Sequence, residues 1–416
     1  MTLASPSWMQ SLGELCDERT SRWVSLRRHL HQHPELSGHE FATTEHLASE
    51  LDQLQIPFRV GNEGRGLIAD LVTVPSTADR FLIALRGDID ALPIEDQKAV
   101  DYRSKHAGVM HACGHDVHAT IVLGALEVLR ELHLQGDLPR PVAVRGIFQP
   151  AEETAQGAQE MIQQHALRDV RSIVSLHVDP TRPAGTVGLK KGMLTAACDC
   201  FEVHFHGRGG HGARPHQCRD PIDACTSWVQ TTYRRVSRVT DPMHTVVLSI
   251  GQLTAGHTAN IIPDTATACG SLRSLDQTGR ERAIDELQSV CQSITDSTGC
   301  RVELKWTMSA PAVTNDAALT QRLYDLAGHV IDPAAASWIE QPSMGSEDFS
   351  YYLQHVPGAM FRLGVAGSQV GHEPLHTPNF DVDERALKVG IKLFAAAAIN
   401  AFETTNDNTA GVTKIS

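Results

Sequence analysis

The chain has 416 residues, with 36 Lys plus Arg against 49 Asp plus Glu, a formal charge of −13 at pH 7 and 41% hydrophobic residues. At about 150 residues per domain, that length and composition suit a globular protein of two domains or so and exclude disorder as the main state. The acidic balance, with no run of Lys and Arg to displace condensed counterions, excludes a nucleic-acid backbone partner and favours a small-molecule substrate.

No stretch approaches the ~18 consecutive apolar residues of a membrane span, and the opening MTLASPSWMQSLGELCDERT lacks a basic region followed by an apolar core. Neither export nor a membrane partner is expected. The nine cysteines, at 16, 113, 198, 200, 218, 225, 269, 291 and 300, are odd in number and have no framework spacing. They read as reduced thiols, which points to the cytoplasm. The 22 histidines are clustered, which directs attention to metal ligands.

From Ser7 to about His33, Leu12, Leu15, Trp23, Leu26 and Leu30 recur at helical spacing until Pro34, so an amphipathic helix opens the fold. The run from Phe81 to Pro93 reads as a buried strand with Asp88 and Asp90 at its C-terminal end. A helix from about Val117 to Leu132, a strand Val142 to Phe148, a helix around Gly157 to His165 and a strand Ser172 to Val178 follow. This alternation predicts a largely parallel sheet.

From about Leu194 the pattern changes. Phe201, Val203 and Phe205 alternate with polar residues, and then come GRGGHG, a helix from about Pro221 to Val239, the strands HTVVLSI and NIIPDTATACGSL, a helix from about Gly279 to Thr295 and the strand RVELKW. This β-α-β-β-α-β order has a ferredoxin-like outline. After Ser309 the first pattern returns, with helices near Asp316 to Ile331 and Asp383 to Ala401 flanking the strand AMFRLGV. The expected division is 1–194 and 309–416 for a larger discontinuous α/β domain and 195–308 for the insertion. The polar tail from Thr404 looks frayed.

The densest chemistry is MHACGHDVH, which gathers His111, Cys113, His115, Asp116 and His118. A thiolate and several imidazoles suit a borderline-soft divalent ion, although a helix start with solvent-facing histidines would use the same residues. FQPAEE sets Glu152 and Glu153 directly after an apolar strand. Adjacent carboxylates repel, so one as a cation ligand and the other as a proton acceptor is a natural division, beside the plainer reading of a solvated helix start. His177 ends another strand and His376 precedes a proline-containing loop. Convergence of Asp88, Glu152, Glu153 and His177 at one sheet edge beside the His115 helix is costly without cations and points to a dimetal hydrolytic site.

RGDIDALPIED, GVMHACGHDVHAT, FQPAEETAQGAQEMI, GRGGHGARPH, ANIIPD, GSEDF and HTPNFDVDERAL occur in that order, between about His31 and Leu387. The set resembles the aminoacylase/carboxypeptidase-type metallopeptidase family, and within it the amidohydrolase branch of hippurate hydrolases, N-acyl-amino-acid amidohydrolases and hydrolases of indoleacetyl-amino acids. The resemblance implies an α/β catalytic domain carrying two divalent ions, Zn or Mn, with an inserted ferredoxin-like lid through which the chain forms a homodimer. It implies Cys113, His115, Glu153, His177 and His376 as metal ligands, Glu152 as general base and Asp88 as a catalytic aspartate behind a ligand. The commoner peptidase branch has a ligating histidine where this chain has Arg86.

In the insertion, His211, Asn260 and Arg273 match positions that reach the substrate in relatives. His211 and Asn260 could donate hydrogen bonds to a developing oxyanion, and Arg273 could hold a carboxylate bidentately. The expected reaction is hydrolysis of the amide bond of an N-acyl-L-amino acid. The alternatives are a dipeptidase or carboxypeptidase with the same site, a thiol amidohydrolase with Cys113 as nucleophile, and a non-catalytic peptide-binding relative.

Overall fold

The computed structural model describes residues 7–73 and 83–401. The expected strand start at Phe81 and the polar tail from Thr404 lie outside the described residues. The chain divides into two compact units, one from Met1–Gly192, Thr314–Glu340 and Tyr351–Ser416 as far as these are described, the other from Met193–Val313 and Gln341–Ser350.

The larger unit is built on an eight-stranded sheet in the order Phe58–Val60, Leu67–Val72, Ala143–Gln149, Ile83–Asp88, Ile173–Pro183, Gly358–Ala366, Val187–Leu189 and Ala336–Trp338. Its central strands pair in parallel, whereas Phe58–Val60, Leu67–Val72 and the Val187–Leu189 pairing with Gly358–Ala366 are antiparallel. The sheet is therefore mixed, with the antiparallel pairings on either side of a parallel centre. The central apolar runs are strands because they are covered on both faces, and every residue of Ile83–Asp88 is buried. Helices Ser7–Gln32, His115–Gln135 and Arg385–Asn400 pack against one another. Their contact is close enough that a Cβ at Gly124 would lie 2.4 Å from Ile391 Cδ1. Trp23 is fully buried and donates its indole N–H to Glu127 Oε2 at 2.8 Å, which satisfies both groups in the core.

The smaller unit is an antiparallel sheet in the order Val246–Ala255, Thr265–Ser274, Ala197–His206 and Arg301–Ala310. The first strand in the chain lies between the third and the fourth, as the ferredoxin-like order requires. Phe201, Val203, Phe205, Ala268 and Leu272 form its core with Trp228, Leu287 and Ile294 of the helices Pro221–Val239 and Gln277–Thr298. Both helices start on a capping aspartate: Asp220 accepts from Ile222 N–H and Asp276 from Gly279 N–H. The segment NIIPDTATACGSL is not one strand. Pro263 has no N–H to give a ladder, and the chain pairs as Ile261–Ile262 and then again as Thr265–Ser274. Among the described residues, no helix is long and apolar enough to cross a membrane.

Candidate metal centre

Two parallel strands, Ile83–Asp88 and Ala143–Gln149, end side by side, and ligand sites of open α/β sheets form beyond such carboxyl ends; the third, Ile173–Pro183, runs on past His177, which therefore lies within its strand and not at the end expected from the sequence. Ile83–Asp88 delivers Asp88 and then Asp90, Ala143–Gln149 runs into Glu152 and Glu153, and Ile173–Pro183 carries His177. The helix His115–Gln135 begins beside them after Gly114, whose φ of 85° turns the chain from Cys113 into the helix. A Cβ there would lie 2.5 Å from Val178 Cγ2. Two non-glycine residues at the site share the left-handed region, Ala151 at φ 53° and His376 at φ 61°. Such conformations cost about 1–3 kcal/mol and persist only where the surroundings impose them. Here Ala151 N–H is held by the buried Glu40 carboxylate at 2.8 Å, and His376 N–H by Ala112 O at 2.8 Å.

Cys113, His115, Glu153, His177 and His376 come together in the larger unit. Cys113 Sγ lies 3.3 Å from His177 Nε2 and 3.4 Å from His376 Nε2. Glu153 Oε1 lies 3.5 Å from His376 Nε2 and 3.9 Å from His115 Nε2, and Glu152 Oε2 is also 3.9 Å from His115 Nε2. The donor atoms form overlapping groups, among them Cys113 with His115 and His177, Cys113 with Glu153 and His376, His115 with Glu152 and Glu153, and Asp88 with His115 and His118, each within 4.8 Å. The thiol belongs to the first two.

The orientation of the imidazoles leaves Nε2 as the inward lone pair. His177 donates Nδ1–H to Val178 O at 2.8 Å, and His115 donates Nδ1–H to Asp90 O at 2.9 Å and Asp90 Oδ1 at 3.0 Å. Such partners fix the tautomer a metal needs. Two buried atoms at the centre, His115 Nε2 and Glu153 Oε1, have no hydrogen-bond partner. Left so, each would cost about 1–3 kcal/mol. Both atoms are thus open to a divalent ion, which sits ~2.0–2.2 Å from such donors, and the mixed S, N and O set suits a borderline-soft one. The residues therefore fit the two-cation centre.

The electrostatics agree. Burial, followed by Arg362 and His118, holds His177 well below the usual imidazole range, so it is neutral and fit to ligate. His115 goes the other way: burial opposes its charge, but Asp88, Cys113 and the Asp90 hydrogen bond outweigh it. The cluster's negative charge thus draws positive charge to its centre. Burial and then Glu153 push the Cys113 thiol well up, which is the reverse of what a thiolate nucleophile needs.

Other members of the sequence cluster have different surroundings. Asp88, buried, accepts from Arg86 Nη1 at 2.6 Å and from His118 Nδ1 at 2.6 Å, and Arg86 Nε donates to Gln149 Oε1 at 2.8 Å. Arg86 is thus a buried clamp on two strand ends. His118 Nε2 accepts Val178 N–H at 3.0 Å, so both ring nitrogens are engaged within the protein. His111 is buried, its imidazole held down to about 4 by burial, and it belongs to none of these donor groups. Sequence reasoning noted Asp90 at the strand end but gave it no task, and gave Glu40 none; a lone carboxylate carries no motif, and only the fold joins them to the glutamate loop.

In the smaller unit, His211 and Asn260 are neighbours because Gly210–His211 pairs with Ile261–Ile262 and Gly212 N–H donates to Asn260 O at 2.9 Å. His211 Nδ1 accepts Ala213 N–H at 3.0 Å, which leaves the proton on Nε2 as an outward donor. Arg273, on the strand Thr265–Ser274, donates Nη1–H to Met344 O at 2.8 Å, within the same unit.

A family model, peptidase family M20/M25/M40, matches residues 84–400. The chain is 38% identical over 370 residues to an N-acetyl-L-cysteine deacetylase of Bacillus subtilis, covering 88% of this chain and 84% of that one. It is 35% identical over 384 residues to thermostable carboxypeptidase 2 of Saccharolobus solfataricus, covering 90% and 94%. Among solved structures, a dinuclear metal-binding M20 peptidase of Bacillus subtilis superposes with a TM-score of 0.76 at 32% identity, covering 92% of this chain and 98% of that one. The chain belongs to the M20/M25/M40 peptidase family and is a metal-dependent hydrolase.

Proposed function

We propose that the chain hydrolyses the amide bond of N-acyl-L-amino acids. The observation that carries this reading is the shared thiol of Cys113 between two donor groups, with the Glu152 carboxylate beside them. Cys113, His115, Glu153, His177 and His376 would hold two divalent cations, Zn or Mn, which would supply polarisation of the amide carbonyl and a lowered pKa for the attacking water. Glu152 accepts the proton of that water on its carboxylate and passes it to the nitrogen of the leaving amino acid. Asp88 keeps its charge between Arg86 and His118 and steadies the strand end. For His211, Asn260 and Arg273, which the smaller unit carries, the proposed tasks are an Nε2–H given to an oxygen as it gains charge, with Asn260 beside it, and a guanidinium that pairs with a free carboxylate.

The deacetylase relative supports an acyl-amino acid substrate, and the carboxypeptidase relative favours a second reading, a dipeptidase or carboxypeptidase. Both reactions leave an amino acid with a free carboxylate. A panel of N-acyl-amino acids and dipeptides, assayed as kcat/KM on the metal-reconstituted protein, separates them. No turnover of any acyl-amino acid refutes the first reading. We also propose a homodimer through the smaller unit, supported by the edge position of Val246–Ala255, with Val247 and Leu253 exposed, and by the exposed Ile222 and Tyr233 of the neighbouring helix. Light scattering that gives the monomer mass at micromolar protein refutes it.

A further inference from the structure

We infer that Glu40 is a positioning residue that aims the Glu152 side chain through the backbone of Ala151. The inference rests on the reading of Glu152 as proton acceptor. Glu40 stands at the N-cap of the helix Phe41–Gln53, yet its side chain makes no capping hydrogen bond there. It is fully buried instead. Its Oε1 takes Ala151 N–H at 2.8 Å and Gly38 N–H at 2.9 Å, and its Oε2 takes Arg65 Nη1 at 3.3 Å. A carboxylate that leaves its own helix end uncapped to reach a backbone N–H 111 residues away acts on that second segment.

Ala151 is the residue that needs holding. Its φ of 53° lies in the left-handed region, which glycine enters freely and alanine does not. The turn into Glu152 is set there. With Ala151 in that conformation, its carbonyl takes Gln156 N–H at 3.2 Å and Gly157 N–H at 3.1 Å, and Glu152 O takes Ala155 N–H at 2.7 Å. The turn is also tight, since a Cβ at Gly157 would lie 1.5 Å from Pro150 O, and one at Gly66 would lie 2.7 Å from Pro150 Cδ. Were Ala151 to return to an ordinary conformation, the chain beyond it would leave in another direction and carry the Cα of Glu152 with it. Glu153 has a tether of its own, because its N–H is held by Asp90 Oδ2 at 3.0 Å. The proton acceptor therefore depends on Glu40 more than the neighbouring cation ligand does.

The test compares wild type with Glu40→Ala and with the double variant Glu40→Ala, Ala151→Gly, at a temperature where circular dichroism shows all three folded. Hydrogen exchange at the Gln156 and Gly157 amides of cation-free protein reads the turn, and kcat of the metal-loaded enzyme on the substrate of highest kcat/KM reads its consequence. Loss of the holding bond releases a left-handed alanine, so both amides exchange about 5- to 30-fold faster in Glu40→Ala, and kcat falls by a similar factor with KM and two cations retained. Glycine at 151 carries no such penalty and restores most of both. A merely structural residue would lower the melting temperature, leave kcat of the folded enzyme alone and gain nothing from the glycine. Unchanged exchange, an effect on KM alone, or no recovery with glycine overturns the inference. Failure of the underlying reading looks different: Glu152→Gln with wild-type kcat, or a wild type that turns over no substrate, removes the proton acceptor, while exchange at the two amides still decides whether Glu40 holds the turn. Should Glu40→Ala not fold, Glu40→Gln provides the second arm. Its neutral oxygen holds the N–H more weakly, so both readouts move in the same sense by a smaller factor and the glycine again relieves them. No change in either readout overturns the inference.

Discussion

Arg86→Met tests the buried clamp behind the site. The guanidinium is fully buried and donates to Asp88 Oδ2 at 2.6 Å and to Gln149 Oε1 at 2.8 Å. Methionine fills much of the same space without the charge, and leaves Asp88, itself fully buried, with His118 as its remaining close donor. Breaking a buried ion pair by removing one partner costs about 3–5 kcal/mol. His118 still pairs with the carboxylate, so the lower end, about 3 kcal/mol, is expected near pH 7. At a urea m-value of about 3 kcal/mol/M, that lowers the unfolding midpoint by about 1 M. The pH dependence has a definite sign. In wild type, burial alone would raise the Asp88 pKa, but Arg86, then His115 and His118, hold it well below the usual carboxylate range. That depressed pKa contributes stability present above the unfolded-state value of about 3.9, and lost as pH falls through the folded one. Removing Arg86 lets burial push the carboxyl upward, so the variant loses stability relative to wild type as pH rises from 5 to 7. Urea unfolding at fixed cation concentration, followed by tryptophan fluorescence, reads both quantities. A midpoint within 0.3 M of wild type at pH 7, or a difference that shrinks between pH 5 and 7, would refute the argument that Arg86 sustains the charge on Asp88.

Glu152→Gln removes the proposed proton acceptor and leaves Cys113, His115, Glu153, His177 and His376 in place, so kcat should fall by about 10²- to 10⁴-fold while two equivalents of cation are retained; loss of the cations would mean that Glu152, whose carboxylate stands with His115 and Glu153, is a ligand instead. Cys113→Ser removes the donor common to both groups, so elemental analysis should find both sites depleted; a variant lacking one ion only would show that the thiol is not shared. Prolonged chelation should abolish activity, with recovery on adding Zn or Mn, whereas full activity in the chelator would sink the metal-dependent mechanism. Arg273→Ala should raise KM for substrates with a free carboxylate and leave KM for the corresponding amides little changed; an equal effect on both would place Arg273 away from the carboxylate.

Cys113 and His115 are close in the chain, and Glu152 and Glu153 follow an apolar strand, so local pattern alone raises the idea of a metal centre. His177 and His376 carry no such signal singly, and they gain meaning only when the strand ends are known to converge. His118 shows where pattern misleads: three residues from His115 on one helix, it is as good a ligand by spacing. Its exclusion comes from Asp88 on one ring nitrogen and Val178 N–H on the other, partners 30 and 60 residues away. The helix Phe41–Gln53 carries Leu47 and Leu51 at helical spacing, with Leu54 at its C-cap, and was legible though not read, whereas the strands Phe58–Val60, Leu67–Val72, Val187–Leu189 and Ala336–Trp338 are too short to show a pattern, and their pairing is decided by neighbours in the sheet. They matter to the site all the same, because Glu40, just before that helix, holds Ala151 in its left-handed conformation.

A buried carboxylate is expensive unless its oxygens are met, and this fold meets those of Asp88, Asp90 and Glu40 with donors drawn mostly from other segments. Each of the three has a hydrogen-bond donor within the protein. Glu153 Oε1 differs, buried without a hydrogen bond beside the equally unpartnered His115 Nε2. Satisfied acids behind the site and an unsatisfied one within it are the arrangement expected where cations are to be bound: the former hold the ligands still, and the latter gives the ion its binding energy.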